Sequence, residues 1–335
     1  MSSSKKTFIF IETALAVMVI IMTCIMLRER NTKDTDKVSV ILEDSDNGQW
    51  AAFKYGLRMA AQDQGIDMFL VSTSEKLTAE QEQNAIEQEI ENGADAVIVQ
   101  PVAGTEAMLK KMGKKVPVML VEAAELGTEK EEGKNSAQKT ERSSSALPLT
   151  ESDHYAMGAA LAEELQKDYA GNMEGKTLGL YATTDASMTF VNRKKGFLDT
   201  MEQMGADIRW IVEQPFTETA TSRLEARPRV DIVVCFDNNS LTEAGKCAQA
   251  KNLHGALVYG IGNSTEAIYY LDTGIVECLI VPDEFDAGYQ SLTEIAERLE
   301  HRFRKLQDHT VSYTAIRRDT LFSEENQEIL FTMSQ

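Results

Sequence analysis

Histidine and cysteine are both scarce, with four of each in 335 residues. His154, His254, His301 and His309 stand in no Ser/His/Asp order around a G-x-S-x-G turn and form no H-E-x-x-H pair, which removes the common hydrolase and zinc-protease patterns. The cysteines make no CxxC and no metal-ligand spacing. Cys24 lies in an apolar run, Cys235 and Cys278 in strand-like segments and Cys247 in a helix-like one, so the last three read as small buried hydrophobes. Phosphate-cradling glycine loops are also missing. The stretch Tyr259-Gly260-Ile261-Gly262-Asn263 has two glycines but no third, and it follows a late strand instead of opening a fold. Basic charge is short as well: 34 Lys and Arg stand against 53 Asp and Glu, a net charge of -19. Such a surface repels phosphate backbones, so nucleic acid is not an expected partner. No catalytic set, metal or cofactor is expected, and the chain does not read as an enzyme.

What the chain does have, first of all, is an apolar run from Phe8 to Leu27. As a helix this run rises about 30 Å, the thickness of a bilayer core. Glu12, one turn in, can reach the headgroups. The run ends directly in Arg28-Glu29-Arg30, without the small residues of a cleavage site, which favours a retained anchor. Met22 and Thr23 occupy positions where a lipoprotein signal wants small residues before Cys24. Residues 1–7 then read as a cytoplasmic terminus, 8–27 as one transmembrane helix and 28–37 as a linker. Lys5 and Lys6 before the run are outnumbered by Arg28, Arg30, Lys33 and Lys37 after it, but large domains translocate largely regardless of such a tally.

Beyond the linker, short β-branched runs alternate with helical stretches, the pattern of parallel sheets with crossover helices. A first unit reads as strands at 38–42, 67–71, 96–99 and 116–121 with helices between them. Gly65 and Gly93 fall just past helix ends, where a left-handed residue is needed. Residues 123–150 turn to Glu, Lys, Ser, Thr and Gly and read as an insert that buries little. A second unit follows, with strands at 177–181, 208–212, 231–235, 256–259 and 276–281, a long helix over 284–306, a strand at 310–316 and a polar tail.

The soluble part resembles the type I periplasmic binding proteins, above all the ribose and galactose binders, whose fold also serves as the effector domain of lactose-repressor-like regulators. The resemblance rests on Gly56 and Gly65 around the first helix and on Asn92-Gly93-Ala94-Asp95-Ala96-Val97-Ile98-Val99. It rests further on Val116-Pro117-Val118, on Arg193-Lys194-Lys195-Gly196-Phe197 and on the run from Val230 to Asn238. It implies an α/β fold of two doubly wound parallel-sheet lobes joined by a three-segment hinge. The lobes would be 38–122 plus 282–310 and 151–281 plus 311–335. A ligand would lie between them, outside the carboxyl ends of the strands.

Mapped residue by residue, the resemblance implies contacts from Asp44, Asn47 and Trp50 after the first strand. There an indole could stack on a sugar's C–H face beside hydrogen-bonding side chains. Helix capping by Asn47 and core packing by Trp50 remain open. Glu122 stands where sugar binders carry Asp before Arg, and Ala123 replaces that Arg. Arg193 belongs to an Arg-x-x-Gly-Phe segment, whereas the ligand-clamping Arg of the ribose binders aligns with Val191; Arg193 therefore reads first as framework and second as ligand contact. Asp237 replaces an Asn, and Asn263 adjoins the position of an expected acceptor. Asp283 is the polar group nearest the last hinge, and Phe216 could offer a second stacking face. The departures favour a polyol with several donors, or a ligand carrying positive charge. The expectation is an extracytoplasmic, membrane-held receptor for a sugar-like solute, feeding an ABC-type permease or a sensor kinase. A protein-interaction module with a degenerate cleft is the alternative. A transcription regulator is disfavoured because an apolar run occupies the place of a DNA-binding domain.

Overall fold

The computed structural model describes residues 17–19, 22, 35–45, 50–73, 76–123, 147–183, 188–202, 204–213 and 222–331. The strands are β1 (Lys37–Ile41), β2 (Asp67–Val71), β3 (Ala96–Val99), β4 (Val118–Val121), β5 (Leu149–Ser152), β6 (Thr177–Ala182), β7 (Asp207–Glu213), β8 (Ile232–Cys235), β9 (Leu257–Ile261), β10 (Val276–Pro282), β11 (His309–Val311) and β12 (Tyr313–Arg317). The helices are α1 (Ala51–Gln64), α2 (Ala79–Glu91), α3 (Glu106–Met112), α4 (His154–Asp168), α5 (Met188–Met201), α6 (Ser222–Glu225), α7 (Asn238–Gln249), α8 (Thr265–Asp272), α9 (Glu284–Glu300) and α10 (Glu324–Phe331).

Two six-stranded sheets result, not one continuous sheet. The first runs β11-β5-β4-β3-β1-β2 with every pair parallel. The second runs β12-β10-β9-β8-β6-β7, parallel except that β12 lies antiparallel to β10. All residues of β3, β4 and β8 are buried, because helices cover both faces of a parallel sheet and leave no solvent side. This is the two-lobed α/β architecture expected from the sequence.

Helix ends follow local chemistry. Gly65 (φ 64) and Gly93 (φ 91) adopt the left-handed backbone expected of them. Thr78 and Gln81 close a capping box on α2. Each lobe seats one pair of helices in close contact. In the first, a Cβ added to Gly56 of α1 would lie 2.0 Å from the Phe285 carbonyl oxygen, and one on Gly288 of α9 would lie 2.1 Å from that of Phe53.

Four assignments are corrected. The insert read over 123–150 gives up its last residues, since Leu149 and Thr150 begin β5. Its sequence, Leu-Thr-Glu-Ser, has one apolar residue, and only pairing with β4 and with the distant β11 makes it a strand. β5 thus pairs in the sheet of the first lobe. The strand read over 310–316 divides at Ser312, whose carbonyl accepts from the Asp283 N–H at 2.9 Å, so its halves serve different sheets. The long helix stops at Glu300, not 306. Buried Glu294 accepts from Arg304 Nη2 (3.0 Å) and the Gln307 N–H (2.9 Å) and lies 3.2 Å from His309 Nε2, which draws the chain back toward β11. The polar tail also contains α10, whose Leu330 packs in the second lobe.

Cys235, Cys247 and Cys278 are buried, as expected. Among the described residues no helix is long and apolar enough to cross a membrane. The span expected over 8–27 lies outside the described residues, apart from 17–19 and 22.

Candidate functional site

The carboxyl ends of β1, β3 and β4 in one lobe and of β6, β8 and β9 in the other are each followed by polar residues. Parallel strands oblige this: their last carbonyls and the following helix N-termini cluster at one edge of each sheet. Glu122 follows β4 in a left-handed backbone conformation (φ 46), a strained geometry for a residue with a side chain. Its Oε1 accepts from the N–H and the hydroxyl of Ser152, both at 3.1 Å. Its Oε2 lies 3.0 Å from Nε2 of His154, the first residue of α4 and only 5% exposed. That is an ion-pair distance without hydrogen-bond geometry, and Nδ1 of the same ring has no partner. Burial alone would raise the pKa of Glu122, but His154, the Ser152 N–H and Arg193 outweigh it and hold the carboxyl below its ordinary value.

Arg193, on α5 in the second lobe, donates from Nη1 to the Phe236 carbonyl at 2.7 Å, while its Nε is buried without a partner. Burial lowers its pKa against the pull of Glu122, Asp237 and Glu284. Asp237 caps α7: its carboxylate accepts from the Ser240 N–H (2.8 Å), the Thr183 hydroxyl (2.6 Å) and the Thr183 N–H (2.9 Å). The residue therefore ties the end of β6 to the end of β8 before it can serve anything else.

Asn263, after β9, is held by Asn238. Asn238 Oδ1 accepts from the Asn263 N–H at 2.8 Å and the Ser264 N–H at 3.0 Å, and its Nδ2 donates to Asn263 Oδ1 at 3.1 Å. The cap of α8 is Ser264, not Asn263. Glu284 is the first residue of α9, the helix that packs on α1 of the first lobe. Burial raises the Glu284 pKa to about 8; Asn263 and Arg193 act against this, and Glu122 and Asp283 add to it. Glu284 Oε2 is buried and unpartnered.

Of the residues expected at the site, the structure thus brings Glu122, Arg193, Asp237 and Asn263 to the junction. Asp283 stands at the hinge, capping α9 through the Asp286 N–H at 3.0 Å, and burial raises its pKa. Asp44 follows β1 with φ 46 and is half-buried. Trp50 takes the core-packing place that the sequence left open. It is 7% exposed, packs edge-on to Phe53 (centroids 5.6 Å apart) and donates from Nε1 to the Glu43 carbonyl at 3.0 Å. Asn47 and Phe216 lie outside the described residues. Sequence reasoning missed Ser152, His154, Asn238 and Glu284. Only Glu284 had a signal, as the acid directly after the hinge residue Asp283. Among the described residues no group of three or more His, Cys, Asp or Glu is arranged to hold a metal ion.

Solved structures share this architecture. GanP, a glucose-galactose binding protein from Geobacillus stearothermophilus, is 18% identical over 87% of this chain and 100% of its own, with a TM-score of 0.67. A carbohydrate transporter solute binding protein from Agrobacterium radiobacter, in complex with D-arabinose, is 14% identical over 89% and 100%, with a TM-score of 0.73. The XylFII-LytSN complex contains a chain 13% identical over 85% and 98%, with a TM-score of 0.68. At these identities the likeness shows the fold. No curated protein sequence matches the chain. The family model for the periplasmic binding protein domain matches residues 38–302, most of the chain. Two lobes of parallel sheet, polar strand ends at their junction and this match agree: the chain belongs to the periplasmic binding protein domain family, a binding protein and not an enzyme.

Proposed function

We propose that this chain is an extracytoplasmic receptor that closes its two lobes around a small, polar, sugar-like ligand. One observation carries the reading. Glu122 and Glu284, attached to the first lobe, face Arg193 and Asn263 of the second, and buried atoms of this set, Arg193 Nε and Glu284 Oε2, have no partner. Buried polar groups without partners are costly, and a ligand carrying several donors and acceptors removes that cost from both lobes at once. A ligand that bridges both lobes binds the closed state better than the open one, and that difference drives closure. The names of the solved relatives, which include a glucose-galactose binding protein and a solute binding protein in complex with D-arabinose, support a carbohydrate-like ligand. The lobe boundaries fall at Ser152/Asp153, Pro282/Asp283 and Ser312. Residues 8–27 hold the receptor at the membrane beside its partner, which raises the effective concentration of the pair. That partner is a sensor kinase or an ABC-type permease; the XylFII-LytSN complex is an instance of a chain of this fold assembled with a second component.

The test is a thermal-shift screen of the purified chain against monosaccharides, polyols and amines, with mass spectrometry of whatever the chain carries from expression. A ligand at one hundred times its Kd stabilises by about 2.7 kcal/mol. No shift with any compound and no captured molecule would sink the receptor reading.

A second reading, an interaction module with a degenerate cleft, draws on Asp237 and Trp50, which the fold itself employs. Co-purification from membranes separates the two. A partner retained unchanged when Glu284 and Asn263 are replaced favours the interaction module.

A further inference from the structure

We propose that the outer edge of the first lobe docks on an anionic bilayer surface, with Phe303 entering the headgroup layer between Arg302 and Lys305. The inference rests on the reading of residues 8–27 as a membrane anchor and adds a second contact to it. Phe303 is 101% exposed, and Arg302 and Lys305 beside it are exposed as well. Their neighbour Arg304 is the cation of this turn that the fold employs, on Glu294 at 3.0 Å and on Glu297. Topology brings further cations to the same edge. Every pair in the first sheet is parallel, so its strands begin together at the end opposite the junction. β4 begins just after the exposed Lys114 and Lys115, and β11 just after Phe303 and Lys305. Only β5 lies between these two strands, which puts them about 10 Å apart. β1 begins at this edge with exposed Lys37, and residues 28–36, which separate it from the apolar run, reach at most about 30 Å. An anchor at 8–27 therefore holds this edge close to the bilayer.

Acids at this edge are engaged with the chain itself. Asp95 accepts from the Lys37 N–H at 2.9 Å, Asp67 from the Thr35 hydroxyl and Asp308 from the Leu149 N–H at 2.9 Å. Lys114, Lys115, Arg302 and Lys305 make no ion pair among the described residues. In a chain of net charge -19 this is a local reversal of sign. A single bare ring flanked by cations lacks the apolar core of a protein interface. It suits a bilayer interface, where the ring enters the headgroup layer and basic side chains reach anionic groups around it. The 17-residue α9 runs from its cap Asp283 at the hinge to this turn, a length of about 25 Å. Docking therefore leaves the junction clear of lipid.

The test is reconstitution of the full chain carrying Phe303→Trp into phosphatidylcholine vesicles with and without phosphatidylglycerol, with bromine on the lipid acyl chains as quencher. Fluorescence is read over that of the parent chain, which supplies the Trp50 and Trp210 background. The expected result is a blue shift and quenching in the phosphatidylglycerol vesicles only. Raising salt from about 0.1 to 1 M, which shortens the Debye length from about 10 to 3 Å, abolishes both while the chain stays in the vesicles. Arg302→Gln or Lys114→Gln, added to Phe303→Trp, lowers the ratio of docked to free chains by about fivefold per charge removed. Quenching that is absent, or equal in the two lipid compositions, in chains that stay with the vesicles overturns the docking and leaves the anchor intact; it assigns the patch to an acidic protein surface instead. Quenching at low salt in chains that leave the vesicles at high salt supports the docking and overturns the anchor. Chains that join neither kind of vesicle overturn both.

Discussion

Gly158 of α4 presses against the backbone of Arg193 on α5: a Cβ added to Gly158 would fall 1.9 Å from the Arg193 carbonyl oxygen. The contact is reciprocal, since a Cβ on Gly196 would fall 2.0 Å from the Tyr155 carbonyl oxygen. The second lobe thus repeats the Gly56–Gly288 crossing of the first. The close packing also sets where the Arg193 side chain enters the junction.

Gly158→Ala must therefore separate α4 from α5. Overpacking of this kind costs about 1–3 kcal/mol, and the expected outcome is a loss of that size in denaturant unfolding. Ligand affinity falls with it, because Arg193 is displaced. Ala substitution at the exposed Gly171, whose positive φ strains a side chain but whose Cβ would meet only the end of the Gln166 side chain at 3.5 Å, leaves ligand affinity unchanged.

Glu284 makes stability depend on pH. Its pKa is raised from 4.5 to about 8 on folding, so the folded state binds more protons than the unfolded one between those values. Stability from this group is therefore full below about pH 4.5, declines as pH rises, and reaches its minimum above about pH 8. At about 1.4 kcal/mol per unit of displacement the effect amounts to at most a few kcal/mol. Glu284→Gln should remove this decline, seen as Tm values for the variant that overtake those of the parent between pH 5 and 8. Parallel Tm curves would contradict it.

Asp237→Ala removes three local hydrogen bonds, one of which is the helix cap. The expected loss is about 2–3 kcal/mol, from a cap contributing about 1 kcal/mol and the Thr183 donors left behind. Asp237→Asn keeps an acceptor and loses less. A ranking in urea midpoints of parent, Asn and then Ala checks the framework role, and equal stability of all three would exclude it.

Trp50→Ala should cost about 3–5 kcal/mol, the range for deleting a large buried aromatic. Trp50→Phe retains most of the buried area and gives up the bond to the Glu43 carbonyl, about 1 kcal/mol. Because the indole belongs to the core, the Phe variant is expected to bind ligand with unchanged affinity in calorimetry. An affinity loss larger than about tenfold would return Trp50 to the cleft.

Local chemistry was legible wherever a residue's role depends on its near neighbours in sequence. The positions of Gly65 and Gly93 followed from helix ends, the buried cysteines from their apolar surroundings, and the strand at Ala96–Val99 from an unbroken apolar run. β5 was not legible, because Leu149–Ser152 has neither an apolar run nor clean alternation and becomes a strand through partners at either side. Glu284 was passed over for the same kind of reason: as a helix-start glutamate it looks like ordinary capping chemistry. Trp50 could be read either way, and the packing of Phe53 decided it.

The sequence alone determined two wound units, the polar stretch between them, the scarcity of catalytic and metal-binding groups, and an apolar run at the start, because period, composition and caps are local properties. Only the tertiary structure decided where the chain changes lobes, which polar residues face one another across the junction, and which buried atoms lack partners. Those depend on groups such as Glu122, Arg193 and Glu284, far apart in sequence, whose burial and charge acquire meaning only once the two sheets stand side by side.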